Sequence, residues 1–582
     1  MRELFMPDRR QARAAPSRWA VICFLLILGI SNASCRDTPH MEGCLRIGLP
    51  EEPRTMNIFL ASDGNTRNVL RQIYQPLYEH HPETLEIVPW LAAALPTYDP
   101  EKKSYTLTLR TARWSDGRGL TSGDVAFTAR LIQDFKLPGL SPRWEQVARI
   151  DTPDPATVVF YLKKPIATFL TRTLEVPIVP EHQWRPIVEA ALRSEKPLAA
   201  LLNHEIDTPI GSGPFVLKKW TRGDFLHFEK NDHFFASGQT IGGRRLGPHV
   251  NGLLFKIYGT TDVAMLALRR GEIDMFWQGI QPGYIDILNR DPHIRVYTSP
   301  KSALYYMGMN LRRPPFDDVH LRRAVAMLID KDFIVERLLQ GRGAKMFSIV
   351  PPGNEKWCHT GMPPYADGQS REERIRTAYA VLSRAGYSWD RPPVDARGHI
   401  VPGEGFRSPD GSLMAPFTIL TPPADYDPAR AISGTIIQEW LREVGIPASA
   451  RPMEFSALID QIKNRHEFDA FILGYGRLSL DPAYLGTFFE TKNDRARGWN
   501  MSGYHNETFD RLASRAEKEM DPEVRREIIL EMQRIIIEDV PYLPLYVPDL
   551  IEAVRTDRFD GWVSMLDGIG NRWSFNEIKP VE

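Results

Sequence analysis

The feature that most constrains this chain is its rhythm, in which short strand-like runs alternate with segments whose apolar residues recur at helical spacing. Residues 105–110 (YTLTLR) and 157–162 (TVVFYL) alternate as half-buried strands do. Between Leu321 and Leu339, the residues Ala324, Val325, Leu328, Ile334 and Leu338 predict one helix, closed by Gly341. Ile375, Tyr379, Leu382 and Ala385 precede Gly386 in the same way, and Ile432, Ile436, Ile437, Trp440 and Leu441 precede Gly445. Asp521-Pro522 puts an N-cap and a first-turn proline in the preferred order, ahead of Ile528, Ile529, Met532, Ile535 and Ile536. Such alternation predicts an α/β architecture. At 582 residues the chain exceeds what one hydrophobic core organises, so at least two lobes are expected. The stretch 392–416, rich in Gly, Pro and charge, reads as an exposed loop.

The first 35 residues follow another logic. Arg9, Arg10, Arg13 and Arg18 form a basic leader, residues 19–30 (WAVICFLLILGI) an apolar run, and Ser31, Ala33 and Ser34 a small-residue approach to Cys35. That order is a secretory signal, with an uncleaved membrane anchor as the alternative, and the run is too short to span a bilayer comfortably. Two processing routes stay open: acylation of Cys35 as in a bacterial lipoprotein, or ordinary cleavage after Ala33. Asn32 stands where a lipoprotein box prefers Leu. No later run approaches membrane length, so an exported, soluble body is expected, in the periplasm or on the outer face of the cytoplasmic membrane. A net charge of -1 points away from nucleic acid as a partner. With Cys23 in the signal, Cys35, Cys44 and Cys358 remain; if Cys35 is acylated, an oxidising compartment allows a Cys44–Cys358 disulfide.

Motifs follow in order along the body. Trp114-Ser115-Asp116-Gly117 is a tight turn, and Thr121 with Asp124 forms a capping box at the start of a helix through Val125, Leu131 and Ile132. Pro76-Leu77-Tyr78-Glu79, Pro209-Ile210-Gly211-Ser212-Gly213-Pro214-Phe215, and Leu268-Arg269-Arg270-Gly271-Glu272-Ile273-Asp274 are followed by residues 321–330 (LRRAVAMLID). Asp481-Pro482-Ala483-Tyr484, Ser502-Gly503-Tyr504, and Pro541-Tyr542-Leu543-Pro544-Leu545-Tyr546 complete the set. Each motif is weak alone. Together, from about Leu45 to the C-terminus, they resemble the extracellular solute-binding proteins of family 5, the peptide- and nickel-type receptors of ABC importers.

That resemblance implies a two-lobed, periplasmic-binding-protein-like α/β clam with mixed sheets. Lobe I would cover 45–303 with an extra subdomain at about 85–203, and lobe II 304–543; residues 544–582 would return to lobe I. Two crossing strands, near 297–306 and 541–546, would form the hinge. The implied partners are a small-molecule or peptide-like ligand and an ABC permease, with possible membrane anchoring through Cys35 and a monomeric state. In peptide-binding members an acidic residue three places before the acidic-Pro pair holds the peptide's α-ammonium group. Here that position is Leu478, and a buried ammonium without a carboxylate partner would be costly. Ordinary free-amino peptides are therefore in question, and modified peptides, oligosaccharides or anionic metabolites stay open.

Catalytic signatures are missing from the sequence: there is no G-x-S-x-G, H-E-x-x-H or Walker loop. Gly211-Ser212-Gly213-Pro214 reads as a structural turn, since Pro214 lacks an amide that a phosphate cradle would use. His80-His81 read as surface histidines, because neighbours on a strand point to opposite faces. Glu272 and Asp274 share a face at strand spacing. Their bland reading is an acidic strand start anchored by Arg269 or Arg270. An alternative is an exported two-lobed hydrolase using Glu272, Asp274 or Asp481, and another is a lipid-anchored sensor with the same fold. No metal or cofactor is expected. Aromatic residues that offer an apolar face and a polar atom are the ligand-site candidates: Trp144, Trp277, Tyr305, Tyr306, Tyr475 and Trp499. Leu478 joins them, as does Arg477, a fixed fork for carboxylate or phosphate.

Overall fold

The computed structural model describes residues 42–61, 63–277, 279–361 and 365–581. The signal segment and Cys35 lie outside the described residues. Two sheets organise the body. The first has seven strands in the order Ile294–Ser299, Leu550–Arg555, Met275–Phe276, Cys44–Leu49, Gly252–Ile257, Phe225–Lys230 and Phe215–Thr221. Its central strand, CLRIGL, runs parallel to both neighbours and hides Leu45, Ile47 and Leu49, which share one face, completely. The outer pairs are antiparallel, so the sheet is mixed.

The second sheet has six strands, ordered Gly343–Lys345, Tyr542–Pro548, Leu304–Met309, Ala470–Tyr475, Phe417–Thr421 and Ala448–Pro452. Helices Val319–Leu328, Arg371–Arg384, Pro428–Glu443 and Pro522–Asp539 accompany it. Asp521 caps the last of these, accepting the amides of Glu523 and Val524. Residues Cys44–Glu582 form one compact unit. Of the separate unit Met1–Gly43 only Glu42 and Gly43, in a turn, are described.

The chain passes between the sheets twice, at residues 300–303 and at Asp549. The second passage lies beyond the expected hinge at 541–546 and the expected boundary at 544. The run Tyr542–Pro548 is buried along its length and pairs on both sides within the second sheet, so only Leu550–Arg555 belongs to the first. Within that strand, Glu552 accepts the Ile569 amide at 2.6 Å, and burial pushes its carboxyl up to about 7.

A third layer sits on the first sheet's side of the sequence. Four antiparallel strands, Thr97–Asp99, Ser104–Thr108, Thr157–Leu162 and Val147–Asp154, are covered by helix Ser122–Asp134. Asp124 fastens the start of that helix: its carboxylate accepts the amides of Thr121 at 2.8 Å and Glu181 at 2.9 Å.

Other expectations need correction. The helix from 321 onward is broken: Val319–Leu328 stops, Ile329 turns extended, and Asp330 caps a new start by accepting the Phe333 amide at 3.0 Å. Cys44 and Cys358 are both free; each is buried, one on the first sheet and one in the second lobe's core. His80 is no surface residue. Its ring meets Glu175 at 2.5 Å and Leu85 O at 2.8 Å.

Candidate ligand-binding site

The strand Ala470–Tyr475 lies in the middle of the second sheet and delivers Gly474-Tyr475-Gly476-Arg477 toward the first lobe. Gly474 is required by packing, since a Cβ there would meet Tyr305 Cδ1 at 2.8 Å. Tyr475 is half-buried between parallel rings: Phe488 at 4.6 Å and Tyr306 at 5.7 Å. Trp499 completes this wall at 6.2 Å from Tyr475; it is 43% exposed, and Lys463 Nζ stands 3.2 Å from its ring centre. A half-open aromatic wall with a cation on its outer member suits a ligand that is partly apolar.

Arg477 projects from the exposed turn that follows. Its Nε lies 3.3 Å from Asp567 Oδ2, and Asp567 belongs to the C-terminal segment that returns to the first sheet. The same carboxylate accepts the Ser302 amide at 2.8 Å, and Ser302 Oγ donates to Leu478 O at 3.1 Å. The Arg477 turn is thus tied to the crossover at 300–303, where the lobes meet.

The helix Gly64–Leu70 is capped by Asp63 through the Thr66 amide at 2.8 Å and lies within the electrostatic range of Arg477. It presents Arg67, and Arg71 follows as its C-cap. Burial and the neighbouring charge of Arg477 lower the pKa of both; for Arg71, which also feels Arg572 and Arg67, it falls to about 9. Arg572 opens the helix Arg572–Glu577 and is ion-paired with Glu79. Sequence reasoning missed Arg67, Arg71 and Arg572. One signal was available: two arginines at i and i+4 repel on a helix surface and call for a compensating partner.

Three candidates are core residues and not site residues. Trp144 is fully buried against Phe160, Trp277 is buried between Phe255 and Phe575, and Tyr306 is fully buried beneath Tyr542. An indole or phenol hides so much apolar area that packing claims it first. Leu478 is also buried, among the apolar residues of the second lobe. Tyr475 and Trp499 lie against each other at 6.2 Å, and Arg477 stands in the exposed turn that follows Tyr475.

The carboxylates proposed for hydrolysis are committed elsewhere. Asp274 is wholly buried, ion-paired with Arg46 at 2.7 Å and Arg558 at 2.8 Å, while Glu272 is exposed and the two lie in a turn before the strand Met275–Phe276. Arg46 and Arg558, not Arg269 or Arg270, anchor this acidic turn. Asp481 is clasped by both arms of Arg525 at 2.7 and 2.9 Å and also accepts Thr171 Oγ1 at 3.1 Å. Thr171 belongs to the first lobe's extra layer, so this bond crosses between lobes. Lys164–Glu517 at 3.0 Å and the Ala167 amide on Glu517 O at 2.9 Å cross beside it. Among the described residues no group of three or more His, Cys, Asp or Glu is placed to hold a metal. None of their helices is long and apolar enough to cross a membrane.

Two mixed-sheet lobes joined by two crossovers define the architecture of a two-lobed binding protein. Residues 86–496 match the bacterial extracellular solute-binding proteins, family 5 Middle, and the chain belongs to that family. It is 28% identical to Protein XP55 of Streptomyces lividans, over 97% of this chain and 95% of that one. It is 26% identical to the oligopeptide-binding protein AppA of Bacillus subtilis, over 89% of each. In structure it superposes on a periplasmic oligopeptide-binding protein of an oligopeptide ABC transporter from Thermotoga maritima with a TM-score of 0.76. That match has 21% identity and covers 93% of this chain and 100% of the other.

Proposed function

We propose that this chain is the exported receptor of an ABC importer, that it closes on a peptide-like ligand, and that it hands the ligand to the permease. The observation that carries the reading is the pair of interlobe bridges, Arg477–Asp567 beside one crossover and Thr171–Asp481 farther out. A ligand that stabilises the arrangement holding these bridges together shifts the lobes toward it, because only differential contacts move such an equilibrium. Tyr475, Trp499 and Arg477 contact the ligand in this reading. The first lobe comprises about 45–299 with 550–582, the second about 304–548. The receptor acts as a monomer without turnover. It is held at the outer face of the cytoplasmic membrane if Cys35 is acylated and is free in the periplasm if cleavage follows Ala33. Peptide-binding relatives support the ligand class, and the filled positions of Asp274 and Asp481 speak against the hydrolase alternative.

Native mass spectrometry of the protein purified from its host tests this directly. A co-purified peptide of defined mass, released intact on unfolding, is the expected result. Small-angle scattering and the fluorescence of Trp499 should then both change when that peptide is restored. A scattering curve and emission spectrum indifferent to the recovered species and to a broad peptide library refute the reading.

A further inference from the structure

Resting on that reading, we infer that Glu552 is a positioning residue for lobe closure: it holds the turn 565–570 so that Asp567 reaches both the crossover at 300–303 and Arg477 of the second lobe. Glu552 lies in the strand Leu550–Arg555, just past the second crossover, and is 2% exposed. Its carboxylate accepts the Ile569 amide at 2.6 Å and sits so close to Gly568 that no side chain fits there. The turn needs such a hold. Asp567 and Gly568 take consecutive φ values of +70° and +103°, and the left-handed region is costly for an aspartate. Asn571 steadies the same turn, its Nδ2 donating to Gly568 O at 2.9 Å.

On its other side the turn grips the crossover and the second lobe together. The Asp567 amide donates to Pro300 O at 2.9 Å, and its Oδ1 accepts the Ser302 amide at 2.8 Å. Its Oδ2 lies 3.3 Å from Arg477 Nε, and Ser302 Oγ carries the connection on to Leu478 O at 3.1 Å. One run of bonds therefore leads from a buried carboxylate of the first lobe to the turn 477–478 of the second. A carboxylate accepts an amide more strongly when ionised, so charge on Glu552 tightens this clasp. Burial raises the Glu552 carboxyl to about 7, and the charge of Asp567 acts in the same direction. Around it, Tyr297 is its partner on the strand Ile294–Ser299, and the strand Met275–Phe276 on the other side brings no titratable group. Lys301, which feels the charge of Asp567, and Arg477 lie beyond that residue, and Arg572, just past the turn, is paired with Glu79. Acidification through neutrality thus loosens the clasp by discharging Glu552.

Hydrogen exchange and small-angle scattering of the ligand-free mature protein, E552Q and R477Q at pH 8 and pH 6 test this, with exchange rates corrected for their intrinsic pH dependence. At pH 8, E552Q should exchange at least about fivefold faster than wild type in peptides covering 300–303, 476–480 and 565–571, and should scatter as a more open particle. The strand 157–162 should not respond. Acidification to pH 6 should change the wild type in the same way and leave E552Q unmoved. Arg477 is exposed, so R477Q keeps the test open should E552Q fold poorly; it should open the lobes at both pH values while Ile569 stays protected at pH 8. Faster exchange spread over the whole chain of E552Q, with pH affecting it as it does the wild type, marks Glu552 as merely structural and refutes the inference. A tripeptide library screened by thermal shift reads the proposed function separately. If exchange and scattering respond as stated but no peptide raises the melting temperature, the clasp stands and the peptide reading falls. If a peptide binds while the three segments exchange alike in wild type and E552Q at both pH values, the clasp is refuted and the peptide reading stands.

Discussion

Thr171→Val isolates closure from folding. Thr171 Oγ1 donates to Asp481 at 3.1 Å across the interlobe gap, and Asp481 retains both bonds from Arg525 when that donor is lost. No buried charge is orphaned, so the cost sits at the low end for a bond to a charged acceptor, about 1.5 kcal/mol. At 1.4 kcal/mol per decade, the closed arrangement becomes about tenfold less favourable, and the ligand's Kd rises by about the same factor. The neighbouring pair Lys164–Glu517 is 39% and 41% exposed, so Lys164→Met should weaken binding by at most about 1 kcal/mol, fading in high salt. Calorimetry with the recovered ligand measures the affinity, and melting of the ligand-free protein is the control. An unchanged Kd for Thr171→Val, or a melting temperature that falls in step with affinity, refutes the assignment of this bond to closure.

Two further outcomes concern the scaffold. Burial lowers the His80 value, but the hydrogen bond and charge of Glu175 outweigh it and raise it to about 9. The resulting stabilisation is complete below the unfolded value near 6.5 and is lost as pH rises through 9. By linkage it amounts to about 3 kcal/mol at most. Denaturation midpoints should therefore fall from pH 6 to pH 9.5, and His80→Gln should flatten that fall; an unaltered slope in the variant contradicts the pairing. Asp274→Asn removes a fully buried charge that neutralises Arg46 and Arg558, whose side chains are 23% and 33% exposed. That loss should cost about 3 kcal/mol, read as a lower urea midpoint. A variant as stable as the wild type would show that this ion-pair triad is not structural.

Local signals were legible wherever one segment suffices. The strand at 157–162 follows from strict alternation, and the helix after Asp521-Pro522 from its cap and its row of isoleucines. The Thr121–Asp124 start was equally plain. The helix from 321 was misjudged because apolar spacing continues through Asp330, while the Asp330 side chain begins a new turn there. The aromatic candidates divided along a line invisible in sequence. Trp499 stands half-open while Trp144 and Trp277 are sealed, a difference set by residues far away along the chain.

Read alone, the chain determined its class: an α/β protein with two lobes, carrying the ordered motifs of a solute receptor. Those properties reside in periodicity, caps and turns, each a matter of a few adjacent residues. Tertiary structure alone decided where the lobes join, which aromatic rings stay open, and which arginines stand together. Arg71 lies 406 residues before Arg477, and Arg572 a further 95 on, so their charges come within range only once the chain has folded. Charge acts through space with no regard for sequence distance, so a site built on it is unreadable before the chain has folded.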